Sequence, residues 1–153
     1  MTSPPGRKSL AEIAAKMRDI DFAVLSTRTE GGAIVGRPMS NNRDVTFDGE
    51  AHLFTLEETR TVGDIDRDPH VGLAYQAKAG MLGMRPFFLA VEGRATLIRD
   101  KGRFAEHWTG DFDRWFARGI DTPGLVLIKV TAQHLHYWDG SEEGEVALSA
   151  AMA

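Results

Sequence analysis

The sequence predicts a mainly β protein: a small antiparallel barrel, closed or partly closed, with a few flanking helices. Three observations lead there. Short apolar runs of strand length recur along the chain, separated by turns rich in Gly, Asp and Pro. Helical spacing of apolar residues is confined to a few short stretches. No glycine-rich βαβ unit appears, and the strand spacing is too irregular for an immunoglobulin-like sandwich.

The elements follow in order. Ser9-Leu10-Ala11-Glu12 has the pattern of a capping box, with the Ser9 hydroxyl accepting from the Glu12 N–H and the Glu12 carboxylate reaching back. Leu10, Ile13, Ala14, Met17 and Ile20 then repeat at helical spacing, which predicts a first helix ending near Ile20. Residues 22–27 read as a strand, Glu30-Gly31-Gly32 as a turn and residues 33–37 as the returning strand. Pro38 has no N–H, so it marks an edge, a bulge or the end of the ladder. Residues 45–47 and 52–55 read as a second hairpin about Asp48-Gly49.

A short helix from Thr59, its expected N-cap, to Arg67 ends at Asp68-Pro69. Residues 71–75 and 87–98 are strands, with Gly93 a candidate bulge. Between them the loop 77–86 carries Met81, Leu82 and Met84, an apolar tip for contact with a second subunit or with its own domain. Asp100 caps a helix to Trp108, and residues 112–116 add a helical turn. Residues 125–137 form a long last strand whose even positions, Val126, Ile128, Val130 and Ala132, are expected to face the core. The organisation expected is a disordered arm over 1–8, one domain over 9–139 and a flexible tail over 140–153.

Composition narrows the function. With 153 residues the chain holds about one domain with a real core. There is no cysteine, hence no disulfide, thiolate nucleophile or Cys-based zinc site. Lys+Arg number 18 against 22 Asp+Glu, a formal charge of −4 that argues against a general nucleic-acid surface. No segment has the length and apolarity of a membrane span or a signal peptide, so a cytoplasmic protein is expected.

The strongest chemical signal is a set of arginines and hydroxyls. Gly36-Arg37-Pro38-Met39-Ser40-Asn41 stands near Phe54-Thr55 and Thr59-Arg60-Thr61 in the expected layout, at strand ends and a helix start. Guanidinium groups and the unpaired N–H groups of a helix N-terminus suit an anion. Two weaker signals accompany it. His134-x-His136 with Trp138 places two imidazoles on one strand face, read as the polar end of a buried strand rather than a metal site, since no carboxylate nearby in the strand completes a ligand set. Phe104, Trp108, Phe112, Trp115 and Phe116 read as a plug docking the helices onto the barrel, with cover for a planar ligand as the alternative. Neither a catalytic acid or base nor a Ser-His-Asp arrangement stands out, and the catalytic residues stay unassigned.

These segments, in order, resemble the pyridoxamine 5′-phosphate oxidase-like FMN-binding split-barrel family, and within it the general stress protein 26 branch. The landmarks are residues 22–27, Arg37-Pro38-Met39, Phe47-Asp48-Gly49, Leu53-Phe54-Thr55, residues 68–75, 91–95 and 125–131, and Tyr137-Trp138-Asp139. The resemblance implies a Greek-key-like split β-barrel, a homodimer with FMN (alternatively FAD) at the subunit interface, and a small-molecule redox substrate. It implies flavin-dependent oxidoreductase activity with a nicotinamide donor; a protein that only binds or sequesters flavin is the alternative, and a barrel holding deazaflavin, or haem through His134 or His136, a third. Arg37, Pro38 and Met39 would flank the flavin, Arg37 helping to hold the phosphate. Phe54 and Thr55 would line the cofactor, Arg60 and Thr61 would meet the phosphate, and Trp138 would reach it from the partner subunit. Thr61 stands where relatives often carry lysine, and Phe88 where the true oxidases place a glutamine on the flavin. The arginine-bearing C-terminal segment of the true oxidases has no counterpart after Trp138, which argues against pyridoxamine phosphate oxidation itself.

Overall fold

In the computed structural model, residues 8–43, 47–77 and 86–148 are described. Seven strands form one antiparallel sheet: β1 Phe22–Arg28, β2 Ile34–Ser40, β3 Glu50–Leu56, β4 His70–Ala77, β5 Phe87–Ile98, β6 Leu125–Asp139 and β7 Glu142–Ala147. The order is β2-β1-β4-β5-β6-β3, with β7 also paired to β6. Three helices accompany it: α1 Leu10–Met17, α2 Arg60–Arg67 and α3 Lys101–His107. Among the described residues no ladder joins β2 to β3, so the sheet is not closed by hydrogen bonds.

Local chemistry explains the elements. The capping box is present: Glu12 N–H donates to Ser9 Oγ at 3.2 Å and Ser9 N–H to Glu12 Oε1 at 3.1 Å. α1 stops at Met17, short of Ile20, because Ile20 N–H turns back onto the Met17 carbonyl; Ile20 is still buried. β2 runs through Pro38 to Ser40, with Pro38 opposite Val24. An edge strand tolerates the missing donor, and β2 is the edge.

One expectation lies partly outside the described residues and another changes. Of the expected second hairpin, residues 44–46 lie outside the described residues; Phe47 is buried and outside any strand, and β3, which holds residues 52–55, pairs with β6. The segment expected as a tail is structured from Glu142 to Ala147. There β7 pairs with β6 from Asp139↔Glu142 to His134↔Ala147, which its three glutamates and single sizeable apolar residue had hidden. Tyr137 fixes this hairpin: its hydroxyl accepts from the Lys8 N–H at 2.7 Å and donates to Glu142 at 3.1 Å. The Lys8 ammonium also pairs with buried Asp139 at 2.9 Å, and that bond raises its pKa.

The bulge expected at Gly93 lies at that register, but the extra residue is on β6. Glu92 pairs with His134 and Gly93 with Ala132, leaving Gln133 unmatched. A Cβ on Gly93 would sit 2.5 Å from the Thr131 carbonyl oxygen, so only glycine lets the strands approach there. The extra residue inverts the inward parity of β6, from Val126, Ile128, Val130 and Ala132 to Leu135, Tyr137 and Asp139. The main core lies under α1 and the inner faces of β1, β4, β5 and β6; a second, smaller core gathers Phe54, Phe104, Phe112, Leu125 and Leu127.

Candidate functional site

The expected residues fall into two groups. Arg37, Pro38 and Met39 lie on β2, Phe54 and Thr55 on β3, and Arg60 and Thr61 open α2. Phe88 and Trp138 face each other across β5 and β6. On β6, Phe54 pairs with Leu127, eleven residues from Trp138, or roughly 35 Å along a strand. One chain therefore does not bring the two groups together by strand register.

The first group is built around a buried carboxylate. Asp64, on the inner face of α2, is 3 % exposed in its side chain. It accepts from the Thr27 hydroxyl at 2.8 Å. Arg37 lies 3.7 Å away through Nη2 and Arg67 3.5 Å away. Nη1 of Arg37 donates to Thr27 Oγ1 at 2.7 Å and to the Leu25 carbonyl at 3.3 Å. The guanidinium thus ties β1, β2 and α2 together. Burial lowers the Arg37 pKa from its usual value; Asp64 opposes that shift and nearby Arg60 adds to it. The helix α2 is held in place by this network, while Arg60 remains exposed at its first turn.

The start of α2 has no side-chain cap. Thr59 occupies the N-cap position, but its hydroxyl donates to the Leu56 carbonyl at 2.8 Å. That hydroxyl also lies 3.4 Å from Thr55 Oγ1. No side-chain cap therefore answers the first N–H groups of α2, beside the Arg60 guanidinium and two hydroxyls. Glu57, close by in sequence, is turned onto Arg99 with contacts of 2.5 and 2.9 Å, which lower its pKa. Thr61 is buried. Thr27 and Asp64 are structural members of the site that sequence reading missed; an Asp in a short helix carries no signal of its own.

Beside this mouth lies an apolar cleft of about 250 Å³. Pro38, Met39 and Phe54 belong to it, and so do Phe22, Phe112, Trp115 and Phe116. Part of the aromatic cluster forms the plug considered from sequence. Phe104 and Phe112 are buried against Phe54 as a plug, whereas Trp115 is left 53 % exposed.

The second group is a polar and aromatic sheet face. His136 stacks on Trp138 at 3.9 Å between ring centres and meets Glu143 at 2.7 Å. His134 lies between Glu92 at 2.8 Å and Glu145 at 3.2 Å. The carboxylates absent from the strand itself come from β5 and β7, which the sequence pattern did not place there. Among the described residues no group of three or more His, Asp or Glu is arranged to hold a metal ion. No described helix is long and apolar enough to cross a membrane.

A family model described as pyridoxamine 5′-phosphate oxidase like matches residues 8–153. The chain belongs to the pyridoxamine 5′-phosphate oxidase-like family. Solved structures agree on the fold of this family member. The general stress protein 26 of Bacillus anthracis str. Sterne superposes with a TM-score of 0.72 at 21 % identity, over 91 % of this chain and 98 % of that one. A protein from Clostridium acetobutylicum related to general stress protein 26 gives 0.75 at 18 % identity, over 94 % and 96 %. A heme binding protein from Mycobacterium smegmatis gives 0.71 at 15 % identity, over 92 % of this chain and 59 % of that one. Comparison with curated proteins finds no match.

Proposed function

We propose that this family member binds FMN, or FAD in second place, in a split barrel shared by two copies of the chain, and acts as a flavin-dependent oxidoreductase with a nicotinamide donor. The observation that carries the reading is the uncapped start of α2 beside exposed Arg60 and the Thr55–Thr59 hydroxyl pair. Helix N–H groups and a guanidinium form a phosphate cradle without any catalytic acid. Arg60 and the backbone of Thr61 would hold the phosphate. Arg37, held by Asp64 and Thr27, would keep α2 in place and lend its charge, while Pro38, Met39, Phe54 and Thr55 would line the ring system.

Phe88 and Trp138 are both exposed, at 39 % and 36 %, on a face far along β6. That separation supports a partner subunit bringing Trp138 to the flavin, as the family pattern expects. A bound flavin supplies the electron transfer; the protein supplies position and electrostatics. The neutral walls beside the mouth, and Thr61 and Phe88 in place of lysine and glutamine, support a redox role other than oxidation of pyridoxamine phosphate.

The test is a titration of apo-protein with FMN and with riboflavin. Arg60→Ala is expected to weaken FMN by about 1.5–3 kcal/mol, the range for hydrogen bonds to a charged group, and riboflavin much less. Equal losses for both ligands would remove Arg60 from the phosphate site. Flavin binding without nicotinamide oxidation above free flavin would favour a flavin-sequestering protein. Haem is a further reading, favoured only by the structural likeness to a heme binding protein; both imidazoles that would serve it are engaged with glutamates.

A further inference from the structure

Two histidines on the outer face of β6 are met by carboxylates from both neighbouring strands. His134 Nδ1 lies 2.8 Å from Glu92 of β5, and its Nε2 lies 3.2 Å from Glu145 of β7. His136 Nε2 lies 2.7 Å from Glu143 of β7, while its Nδ1 is 3.9 Å from Glu145, too far for a hydrogen bond. A neutral imidazole has one N–H and one bare lone pair; only the imidazolium donates from both nitrogens. The double contact of His134 is therefore the geometry of a protonated ring. With a neutral ring, one of its two carboxylates would face a lone pair. The cations carried by β5 and β6, Arg94 and Lys129, are turned elsewhere: Arg94 lies 3.5 Å from His70 of β4, and Lys129 lies 3.5 Å from Glu50. β7 carries no cation, and β4 places Gly72 opposite Glu92.

We propose that β7 is a proton-operated latch: acid protonates His134, whose two N–H groups tie Glu92 and Glu145 across three strands, and loss of that proton frees the end of β7. The strand suits the role. It has six residues and pairs with β6 alone. Its start is anchored through Glu142, which meets Tyr137 at 3.1 Å and Lys8 at 3.6 Å. Towards its end Val146 packs on the core, Glu145 reaches His134, and the Leu148 N–H donates to the Gln133 carbonyl at 3.0 Å, next to His134 in the chain. The sign follows from charge. A protonated ring offsets the mutual repulsion of Glu92, Glu143 and Glu145; a neutral ring leaves them without a cation from β5, β6 or β7. Docking of β7 and protonation of His134 therefore favour each other. Docking strengthens as pH falls through the range where imidazoles titrate, near about 6.5, and weakens above it. The latch makes no use of a bound flavin and stands whether or not FMN binds.

The test is amide hydrogen exchange of the full-length protein, read residue by residue by NMR from about pH 5.5 to 8.5, the span around an ordinary imidazole. Each rate is corrected for the intrinsic pH dependence of exchange. Protection of the β7 amides and of Leu148, taken relative to β4, is expected to fall about two- to fivefold as pH rises, the worth of an exposed ion pair. A change in global stability would have the opposite sign in acid, because buried His52, its pKa pushed down to about 4, resists protonation in the folded state. His134→Gln and Glu145→Gln are each expected to abolish the relative fall. Neither side chain belongs to a core, and native protection in β4 verifies that each variant is folded. Relative protection of β7 that is flat across the range would overturn the proposal, and so would a fall that persists in both variants. A fall shared equally by β4 and β7 would report the whole fold and overturn it as well.

Discussion

Replacing Arg37 with methionine separates two roles that one arginine plays near an anion site: direct ligand and strut. The side chain donates to Thr27 at 2.7 Å and Leu25 at 3.3 Å and lies 3.7 Å from Asp64, which is buried. Removing one partner of a buried ion pair costs about 3–5 kcal/mol, because the other charge stays desolvated. Here Arg67 remains 3.5 Å from Asp64, and the Thr27 hydroxyl still donates to it. The Arg37–Asp64 contact is also long. The expected loss is therefore about 2–3 kcal/mol, at the lower end or just below that range. Asp64→Asn is expected to cost about 1–2 kcal/mol, as the carboxamide keeps one hydrogen bond to Thr27. The double variant should cost at least about 1 kcal/mol less than the two single losses added, since neighbours in one network couple. Urea unfolding followed by tryptophan fluorescence reads all three. A loss below about 0.5 kcal/mol for Arg37→Met, or strictly additive losses, would refute the strut and leave Arg37 as a ligand only.

Other outcomes follow from the same geometry. Gly93→Ala forces a methyl to within 2.5 Å of the Thr131 carbonyl oxygen, a backbone atom; thermal unfolding should show a loss of at least about 1–3 kcal/mol, the usual overpacking range. His52 stacks on His107 at 3.7 Å, and burial, then the neighbouring imidazole, pushes its pKa down to about 4. An unfolded histidine titrates near about 6.5, so the stability this neutral ring contributes is complete above that pH and is lost as pH falls towards 4. The stability gap between the wild type and His52→Leu should shrink by up to about 3 kcal/mol between pH 7 and 4; a constant gap across that range would contradict the assignment. Trp138→Ala should weaken flavin retention if the partner's ring covers the cofactor, with a stability loss of its own, since the residue is only 36 % exposed and its ring stacks on His136. Unaltered retention would detach Trp138 from the site.

The sequence carried the fold further than the site. Alternation of apolar residues located most strands, and the Ser9–Glu12 pair located the first helix. β7 escaped because Glu142–Ala147 has three glutamates and only one sizeable apolar residue; its pairing to β6 supplies what its own composition does not. The Gly93 signal found the bulge but could not say which strand held the extra residue, because glycine reports a close approach and not a count. The position of Arg60 at a helix start was legible. Asp64 was not, because its role depends on Thr27 and Arg37 arriving from two other elements, and no spacing within one element encodes that meeting. The glutamates around His134 and His136 were hidden for the same reason: they belong to neighbouring strands.

The visible absorption spectrum of purified protein, taken after loading with FMN and passage through a desalting column, tests the central claim most directly. The account predicts retained flavin bands near one per chain, with riboflavin retained less well. A colourless protein that releases all added FMN would contradict it, and would leave the uncapped start of α2 and its exposed arginine without a phosphate to hold.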